Sequence, residues 1–131
     1  MNWQHGNYII TDDKSRIDIE AVFNLLSHTY WAKGRSRETI VTTVANSICF
    51  AVLYDNMQVG FARVVTDRAV FAWIADVIVD ERHRGKGLGK KLIACIQAHP
   101  DIPQSRQLLR TKDAHGLYEA FGFKTTECMT K

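Results

Sequence analysis

Hydrophobic residues follow two different spacings along this chain, and these spacings predict a mixture of helices and strands. Apolar positions three and four residues apart indicate amphipathic helices, whereas apolar runs bounded by turn residues indicate strands. The predicted strands are Tyr8–Thr11, Ile48–Tyr54, Val59–Val65, Val70–Val79, Gln107–Thr111 and Phe123–Glu127. The predicted helices are Asp18–Ser27, Ser36 to about Asn46, a stretch carrying Leu88, Leu92, Cys95 and Ile96 that stops near His99, and Ala114–Phe121.

The resulting order, β-α-α-β-β-β-α-β-α-β, predicts an α/β fold with a mixed sheet and helices on its faces. We expect a single domain over residues 1–131, because a chain of this length buries one core. Val70–Val79 is the longest predicted strand and is apolar on both faces. It is therefore expected at the centre of the sheet, covered on both sides.

Composition narrows the class of protein. The chain is 46% hydrophobic and 24% charged, which is typical of a soluble globular domain. A net charge of +3 is too small to imply nucleic acid by itself. The three widely spaced cysteines form no CxxC pair, which argues against a disulfide framework or a zinc site and favours a reducing compartment. No long apolar run or signal-peptide core occurs, so we expect a cytoplasmic protein without membrane contact.

The strongest local feature is a strand that runs into a basic, glycine-spaced turn between Asp76 and Leu92. Glycine permits a close backbone approach and positive φ, and the first N–H groups of a helix have no internal partner. With the helix dipole and the local cations, this junction predicts a binding site for a polyanion such as a di- or triphosphate. A flexible basic surface turn is the alternative. The turn carries Arg82, Arg84, Gly85, Lys86, Gly87, Gly89, Lys90 and Lys91.

Two common phosphate-binding motifs do not fit this turn. The P-loop pattern GxxxxGK[ST] is absent, and Gly85-Lys-Gly-Leu-Gly89 has GxGxG spacing instead of the GxGxxG of dinucleotide-binding folds. The basic run also lacks interleaved aromatic residues, which disfavours a nucleic-acid-binding domain.

The pattern that fits is Arg82-x-x-Gly85-x-Gly87 after an apolar strand, followed downstream by Ala114-x-x-x-Tyr118-x-x-x-Gly122-Phe123. Over about Ile48–Phe123, these motifs and the element order resemble the GCN5-related N-acetyltransferase (GNAT) family. The resemblance implies a mostly antiparallel sheet and an enzyme that transfers an acetyl group directly from acetyl-coenzyme A to a primary amine. The transfer would take place in a ternary complex, without a covalent enzyme intermediate and without a metal.

The resemblance also implies where acetyl-coenzyme A binds. Backbone N–H groups of the turn would hold the pyrophosphate, with charge added by Lys90, and the pantetheine arm would lie beside the preceding strand. That arm would occupy a splay between this strand and Gln107–Thr111. The implied residues are Val77, Ile78, Val79, Arg84, Gly85, Lys86, Gly87, Leu88, Gly89 and Lys90.

Two residues are candidates for catalysis. In the family a tyrosine at the position of Tyr118 protonates the leaving thiolate; the alternative is a core aromatic. Asp76 is the only charge inside the longest predicted strand, and a carboxylate there must be paired or functional. A hairpin would place Arg63 on its face as an ion-pair partner. The other alternative is a general base or an anchor for the substrate amine.

The acceptor side is less defined. Trp31, Arg35 and Ser36 lie in the loop between the first two helices, which the resemblance implies borders the acceptor; Trp31 is alternatively a core anchor. Thr111 stands where many family members have asparagine, and room remains for one final strand where the family usually has two. We expect a small-molecule or peptide amine as substrate and a monomer or homodimer. The rival hypothesis is an acyl-coenzyme A-binding regulatory protein without catalysis.

Overall fold

A six-stranded sheet with helices on both faces forms the protein, and the computed structural model describes residues 1–131. The strands are β1 (Asn2–His5), β2 (Tyr8–Thr11), β3 (Ile48–Tyr54), β4 (Met57–Thr66), β5 (Ala72–Val79) and β6 (Gln107–Leu109). The helices are α1 (Ile19–Ser27), α2 (Arg37–Ala45), α3 (Leu88–Ala98) and α4 (His115–Glu119), with 3-10 turns at Lys14–Arg16 and Glu81–His83. The predicted mixed α/β fold is confirmed.

The strands lie side by side in chain order, and every pair is antiparallel except β5 and β6, which are parallel. Asp55 and Asn56 form the turn between β3 and β4, and both residues have positive φ (51° and 63°). That combination is typical of the two-residue turns that match the twist of a hairpin. The parallel step from β5 to β6 requires a crossover, and α3 supplies it.

The N-terminal strand β1 was not predicted from the sequence. It pairs with β2 through a turn at Gly6, where φ is +58°. Along β1, Trp3 and His5 are half-buried while Asn2 and Gln4 are exposed, so Trp3 and His5 share one face of the sheet. A four-residue edge strand with a single large hydrophobe carries too little periodicity to be recognised without its partner.

Two strand predictions were wrong. Phe123–Glu127 has no regular structure, and only Phe123 among these residues packs against the core. The predicted strand Val70–Val79 begins at Ala72 instead, because the Asp67 carboxylate accepts three backbone N–H groups and holds the preceding residues in a turn. Val70 is consequently 63% exposed. The longest strand is β4, and β5 lies fifth in the sheet order rather than at its centre.

Local capping explains where the helices begin and end. Asp18 accepts backbone N–H groups at the start of α1, and Ser36 does so at the start of α2. Just before α4, the Thr111 hydroxyl accepts the Ala114 N–H at 2.9 Å. Gly122 follows α4 with φ at +90°, a conformation that commonly ends a helix. Thr111 therefore helps to fix the helix that carries Tyr118.

The core is divided by the sheet into two layers. The larger cluster of 17 buried residues packs β-strand side chains against α3, whose apolar stripe is buried as predicted. A smaller cluster of 7 buried residues lies beneath α1 and α2. Within β5, Val77 packs toward the larger cluster and Ile78 toward the smaller one, so the strand is covered on both faces. The candidate site lies at the end of this strand.

Candidate active site

The turn between β5 and α3 presents a run of unpaired backbone donors. No N–H group from Gly85 to Lys90 donates a hydrogen bond to an acceptor within the protein. Gly85 and Gly87 have φ of +79° and +76°, a region that glycine adopts without steric cost. Free N–H groups at the positive end of the α3 dipole make this turn suited to an anion.

The arginines of the turn are occupied by the protein itself. Arg82 pairs with Asp80 at 3.3 Å, and this contact raises the pKa of the guanidinium. The Nε atom of Arg84 donates to the carbonyl oxygen of Val79 at 3.0 Å, and its N–H donates to the Glu81 carbonyl oxygen at 3.4 Å. The run of free backbone donors therefore begins at Gly85, one residue later than predicted. The Arg84 side chain stabilises the end of β5 through its hydrogen bond to Val79.

The strands β5 and β6 separate just before this turn. Their pairing covers only Ala72, Trp73 and Ile74 on β5. From Ala75 to Val79, β5 has no sheet partner on that side, although it remains paired with β4. The opening lies where the family resemblance implied a splay beside Val77, Ile78 and Val79. Its unpaired strand edge offers N–H and C=O groups to an extended ligand.

A bulge lies in β5 where the strands separate. Ala75 is opposite Arg63, and Ile78 is opposite Phe61, so two residues of β5 face one residue of β4. Asp76 occupies this bulge with φ at +54°, a conformation uncommon for a residue other than glycine. Bulges and positive φ are concentrated at functional sites, where surrounding contacts hold them.

Three side chains hold the Asp76 carboxylate. Arg63 Nε donates to Oδ2 at 2.6 Å, Arg35 Nη1 to Oδ2 at 2.8 Å, and Trp31 Nε1 to Oδ1 at 3.0 Å. The predicted pairing of Arg63 with Asp76 is confirmed. Burial alone would raise the pKa of this carboxyl group, but the hydrogen bonds and charges of the arginines outweigh burial and lower it. With its side chain 1% exposed, the carboxylate is ionised and enclosed.

The three loop residues predicted for the acceptor side have different roles in the fold. Trp31 is 41% exposed and lines a groove that also contains the β5 edge and the glycine turn. Arg35 is half-buried and turns toward Asp76, and Ser36 accepts the Thr39 N–H at 3.1 Å as the cap of α2. Only Trp31 of these three lines the groove, so the α1–α2 loop contributes to it chiefly through aromatic surface.

Tyr118 lies on α4 with a buried ring and a solvent-accessible hydroxyl. The residue is 9% exposed, and its edge packs on Phe123 with the ring centroids 5.9 Å apart. The hydroxyl makes no hydrogen bond within the protein, yet no fully enclosed polar side-chain atom lacks a partner, so the hydroxyl is not sealed from solvent. Burial raises the pKa of this phenol, as do the nearby Asp113 and Tyr30. Tyr118 is therefore protonated at neutral pH.

One groove, with a volume of about 1090 Å³, joins these parts. It brings together the β5 edge, the glycine turn, the Tyr118 helix and the Trp31 loop. The sequence-predicted residues that line it are Val77, Ile78, Val79, Arg84, Gly85, Gly87, Leu88, Gly89, Trp31 and Tyr118. The predicted residues outside its lining are Asp76, Arg35, Ser36, Lys86 and Lys90.

Sequence reasoning missed several residues of this groove. Tyr30, Ala114 and Leu117 line it, and Tyr30 packs edge-on against Trp31 with the ring centroids 5.1 Å apart. Leu117 precedes Tyr118 within the recognised motif, which was a usable signal. Nothing in the sequence distinguished Tyr30 from the apolar stripe of α1. A separate cavity of about 350 Å³ lies on the β6 side of Tyr118, beside Trp73 and Phe123.

Other kinds of site find no support among these residues. No group of three or more His, Cys, Asp or Glu side chains is placed to hold a metal ion. None of the helices has the length and apolar character needed to cross a membrane. The Cys49 and Cys95 thiols are buried, and burial raises the pKa of each to about 11.

Comparison with known proteins identifies the family. The family model described as an acetyltransferase (GNAT) domain matches residues 45–125 of the chain. This chain belongs to the GNAT family. The match includes β3 to β5, the glycine turn and α4, so it covers every part of the groove except α1 and the Trp31 loop.

Individual relatives agree with this assignment. A protein from Xanthomonas campestris pv. campestris that is assigned to the GNAT family is 38% identical, with a TM-score of 0.89 over 94% of this chain and 88% of that chain. A Gibberella zeae protein assigned as an acetyltransferase is 25% identical over 95% of this chain and 83% of its own length. A GNAT family acetyltransferase from Elizabethkingia anophelis, solved with acetyl-CoA bound, shares the fold at a TM-score of 0.71. That protein is 18% identical, and the alignment covers 93% of this chain and 79% of that chain.

Proposed function

We propose that this GNAT protein transfers the acetyl group of acetyl-coenzyme A to a primary amine by direct attack within a ternary complex. The observation that carries the proposal is the continuous groove joining the free donors of the turn, the unpaired edge of β5 and Tyr118. These parts match the three regions of the cosubstrate in order: pyrophosphate, extended pantetheine arm and thioester.

The turn binds the pyrophosphate of acetyl-coenzyme A through its backbone. The N–H groups from Gly85 to Gly89 donate to phosphate oxygens, and Lys86 and Lys90 add positive charge from the exposed side. The unpaired edge from Val77 to Val79 hydrogen-bonds the amide groups of the arm, as an added strand does at an open sheet edge.

Tyr118 acts as the general acid. The amine nitrogen attacks the thioester carbonyl carbon, the carbon–sulfur bond breaks, and the phenol delivers its proton to the departing sulfur. A raised pKa suits this role, because it keeps the phenol protonated until the thiolate forms. The proton lost by the amine passes to water in the groove. Much of the rate comes from holding the amine against the thioester and from backbone N–H groups that polarise its carbonyl.

Asp76 acts as the partner of a structural ion pair, not as a general base or an anchor for the substrate amine. Its carboxylate accepts hydrogen bonds from three side chains and does not line the groove. It fixes the bulge of β5 and ties the Trp31 loop to the sheet. Arg35 contributes by holding the Asp76 carboxylate in place. Trp31 forms part of the wall at the acceptor end of the groove.

A screen of primary amines for free-thiol release from acetyl-coenzyme A tests the proposal. Amino acids, polyamines, amino sugars and peptide N-termini are assayed with the wild type, with Tyr118→Phe and with the control Tyr54→Phe. We expect at least one amine to be turned over, with kcat lowered about a hundredfold or more in Tyr118→Phe and unchanged in Tyr54→Phe. Coenzyme A binding with turnover of no amine would favour the regulatory alternative.

A further inference from the structure

The N-terminal hairpin contacts the glycine turn at two points that the proposed chemistry does not explain. His5 on β1 places Nε2 2.8 Å from the carbonyl oxygen of Lys86. Tyr8 on β2 places its hydroxyl 2.8 Å from Nδ1 of His83, just before the turn. Both contacts join residues more than seventy positions apart, separated by 81 and 75 positions along the chain. The hairpin therefore contacts the first half of the turn at two positions, His83 and Lys86.

The position of His5 follows from the alternation of β1. Trp3 and His5 face the same side of the sheet, and Trp3 packs against the larger core cluster that includes α3. This packing places His5 above the start of α3. A Cβ atom on Gly87 would lie 3.7 Å from Nε2 of His5, so the imidazole ring rests directly against the turn.

The contact with the Lys86 carbonyl determines the direction of the next N–H group. In a planar trans peptide, the C=O and the N–H point in opposite directions, and the chain contains no cis peptide bond. Because the Lys86 oxygen points to His5, the Gly87 N–H points away from His5. Gly87 lines the groove, and its N–H has no acceptor in the protein.

Glycine at position 87 allows the Lys86–Gly87 peptide to rotate. A contact that fixes the orientation of this peptide therefore matters for phosphate binding. Gly87 has φ of 76° and ψ of 15°, the values of the third residue of a type II turn. A glycine at that position also accepts negative φ, and the preceding peptide then rotates so that its carbonyl and N–H exchange directions. A carbonyl oxygen facing the groove would repel phosphate. The hydrogen bond from His5 favours the orientation that presents the donor.

We propose that His5 is a positioning residue for the cosubstrate: it fixes the Lys86–Gly87 peptide so that the Gly87 N–H faces the pyrophosphate. This inference rests on the proposed acetyl-coenzyme A site. The carbonyl oxygen can only accept, so Nε2 of His5 carries the proton, in either the neutral Nε2–H tautomer or the imidazolium. A glutamine amide at the same position retains a donor, whereas leucine retains bulk without one.

The test compares His5→Leu, His5→Gln and the control Asn2→Ala, whose side chain lies on the exposed face of β1. Coenzyme A affinity is measured by calorimetry, and acetyl transfer is measured with acetyl-coenzyme A and with S-acetylpantetheine, which lacks the pyrophosphate. We expect His5→Leu to weaken coenzyme A binding about tenfold and to raise KM for acetyl-coenzyme A with little change in kcat. S-acetylpantetheine should be used equally well by all variants, and His5→Gln should remain within about threefold of the wild type.

Distinct outcomes separate the possible failures. Unchanged coenzyme A affinity in a folded His5→Leu variant would overturn the role of His5. An equal loss of activity with acetyl-coenzyme A and with S-acetylpantetheine would overturn it too. Such a loss would not depend on the pyrophosphate and would indicate a general disturbance of the site. If His5→Leu does not fold, His5→Gln decides: wild-type affinity supports the inference and a tenfold loss overturns it. Failure of the unaltered protein to bind coenzyme A would instead overturn the proposed function.

Discussion

The Nε atom of Arg63 lies 2.6 Å from Oδ2 of Asp76, at the point where β5 bulges away from β4. This contact joins the two strands across the irregular step in their pairing. Arg35 and Trp31 donate to the same carboxylate from the α1–α2 loop. One buried charge therefore connects the bulge of β5, the neighbouring strand and the Trp31 wall of the groove.

Asp76→Asn is expected to destabilise the protein by about 3 kcal/mol at neutral pH, because it leaves two arginine side chains without their shared counter-charge. The pKa of Asp76 lies below its ordinary value. Its contribution is therefore complete above about pH 4 and is lost as the pH falls through the folded-state pKa. Urea denaturation at several pH values measures the free energy of unfolding. The difference in this free energy between wild type and Asp76→Asn should become smaller as the pH falls.

The control for this experiment is Asp101→Asn, which removes an exposed ion pair. Asp101 and Arg68 are 55% and 56% exposed in their side chains, and such pairs contribute less than about 1 kcal/mol. A loss at Asp76 no larger than the loss at Asp101 would contradict the central role given to the buried cluster.

Much of this arrangement could be predicted because it depends on local pattern. The Arg63–Asp76 pair followed from the hairpin and the cost of burying a lone carboxylate. The glycine turn, the α3 stripe and the Tyr118 helix each carry a motif within a short stretch of sequence. Family resemblance then gave these separate motifs a common ligand.

The remainder depends on contacts between distant residues, and short segments carried too little signal. Strand β1 exists because it pairs with β2 and packs Trp3 on the core, and only the folded chain shows this. Phe123–Glu127 has residues suited to a strand but makes no ladder pairing. The contact from His5 to Lys86 joins residues 81 positions apart in the chain, so no local pattern could have indicated it.

The acid role of Tyr118 predicts a specific pH dependence. Its pKa is raised above the ordinary value near 10, so the phenol stays protonated, and kcat should not decline on the alkaline side until the pH exceeds about 10. In the pH range where the acceptor amine is still protonated, kcat/KM should rise with pH because more of the amine becomes neutral. In Tyr118→Phe the alkaline decline should disappear and kcat should be low throughout. An alkaline decline that is unaltered in Tyr118→Phe would assign that ionisation to another group.

Gly87→Val should abolish coenzyme A binding while the domain remains folded. A valine at φ near +76° is strained by about 1–2 kcal/mol, so the turn would change shape, and the donor facing the groove would be lost. The matched control is Gly116→Val on α4, where an added Cβ atom meets no other atom within 4 Å. Calorimetric titration with coenzyme A measures binding, and circular dichroism verifies folding. Equal affinity in Gly87→Val and wild type would remove the turn from the binding site.

The cysteines provide a test of the direct-transfer route. Cys49 and Cys95 are buried with a pKa of about 11, so almost none of either thiol is ionised at neutral pH. Cys128 is exposed. We therefore expect iodoacetamide to modify Cys128 alone in the native protein, as measured by mass spectrometry of the intact chain and its peptides. Acetyl transfer should survive this alkylation, and a Cys128→Ser variant should retain wild-type kcat. Loss of transfer on modification of a single thiol would instead indicate an acetyl-cysteine intermediate, which direct attack by the amine does not require.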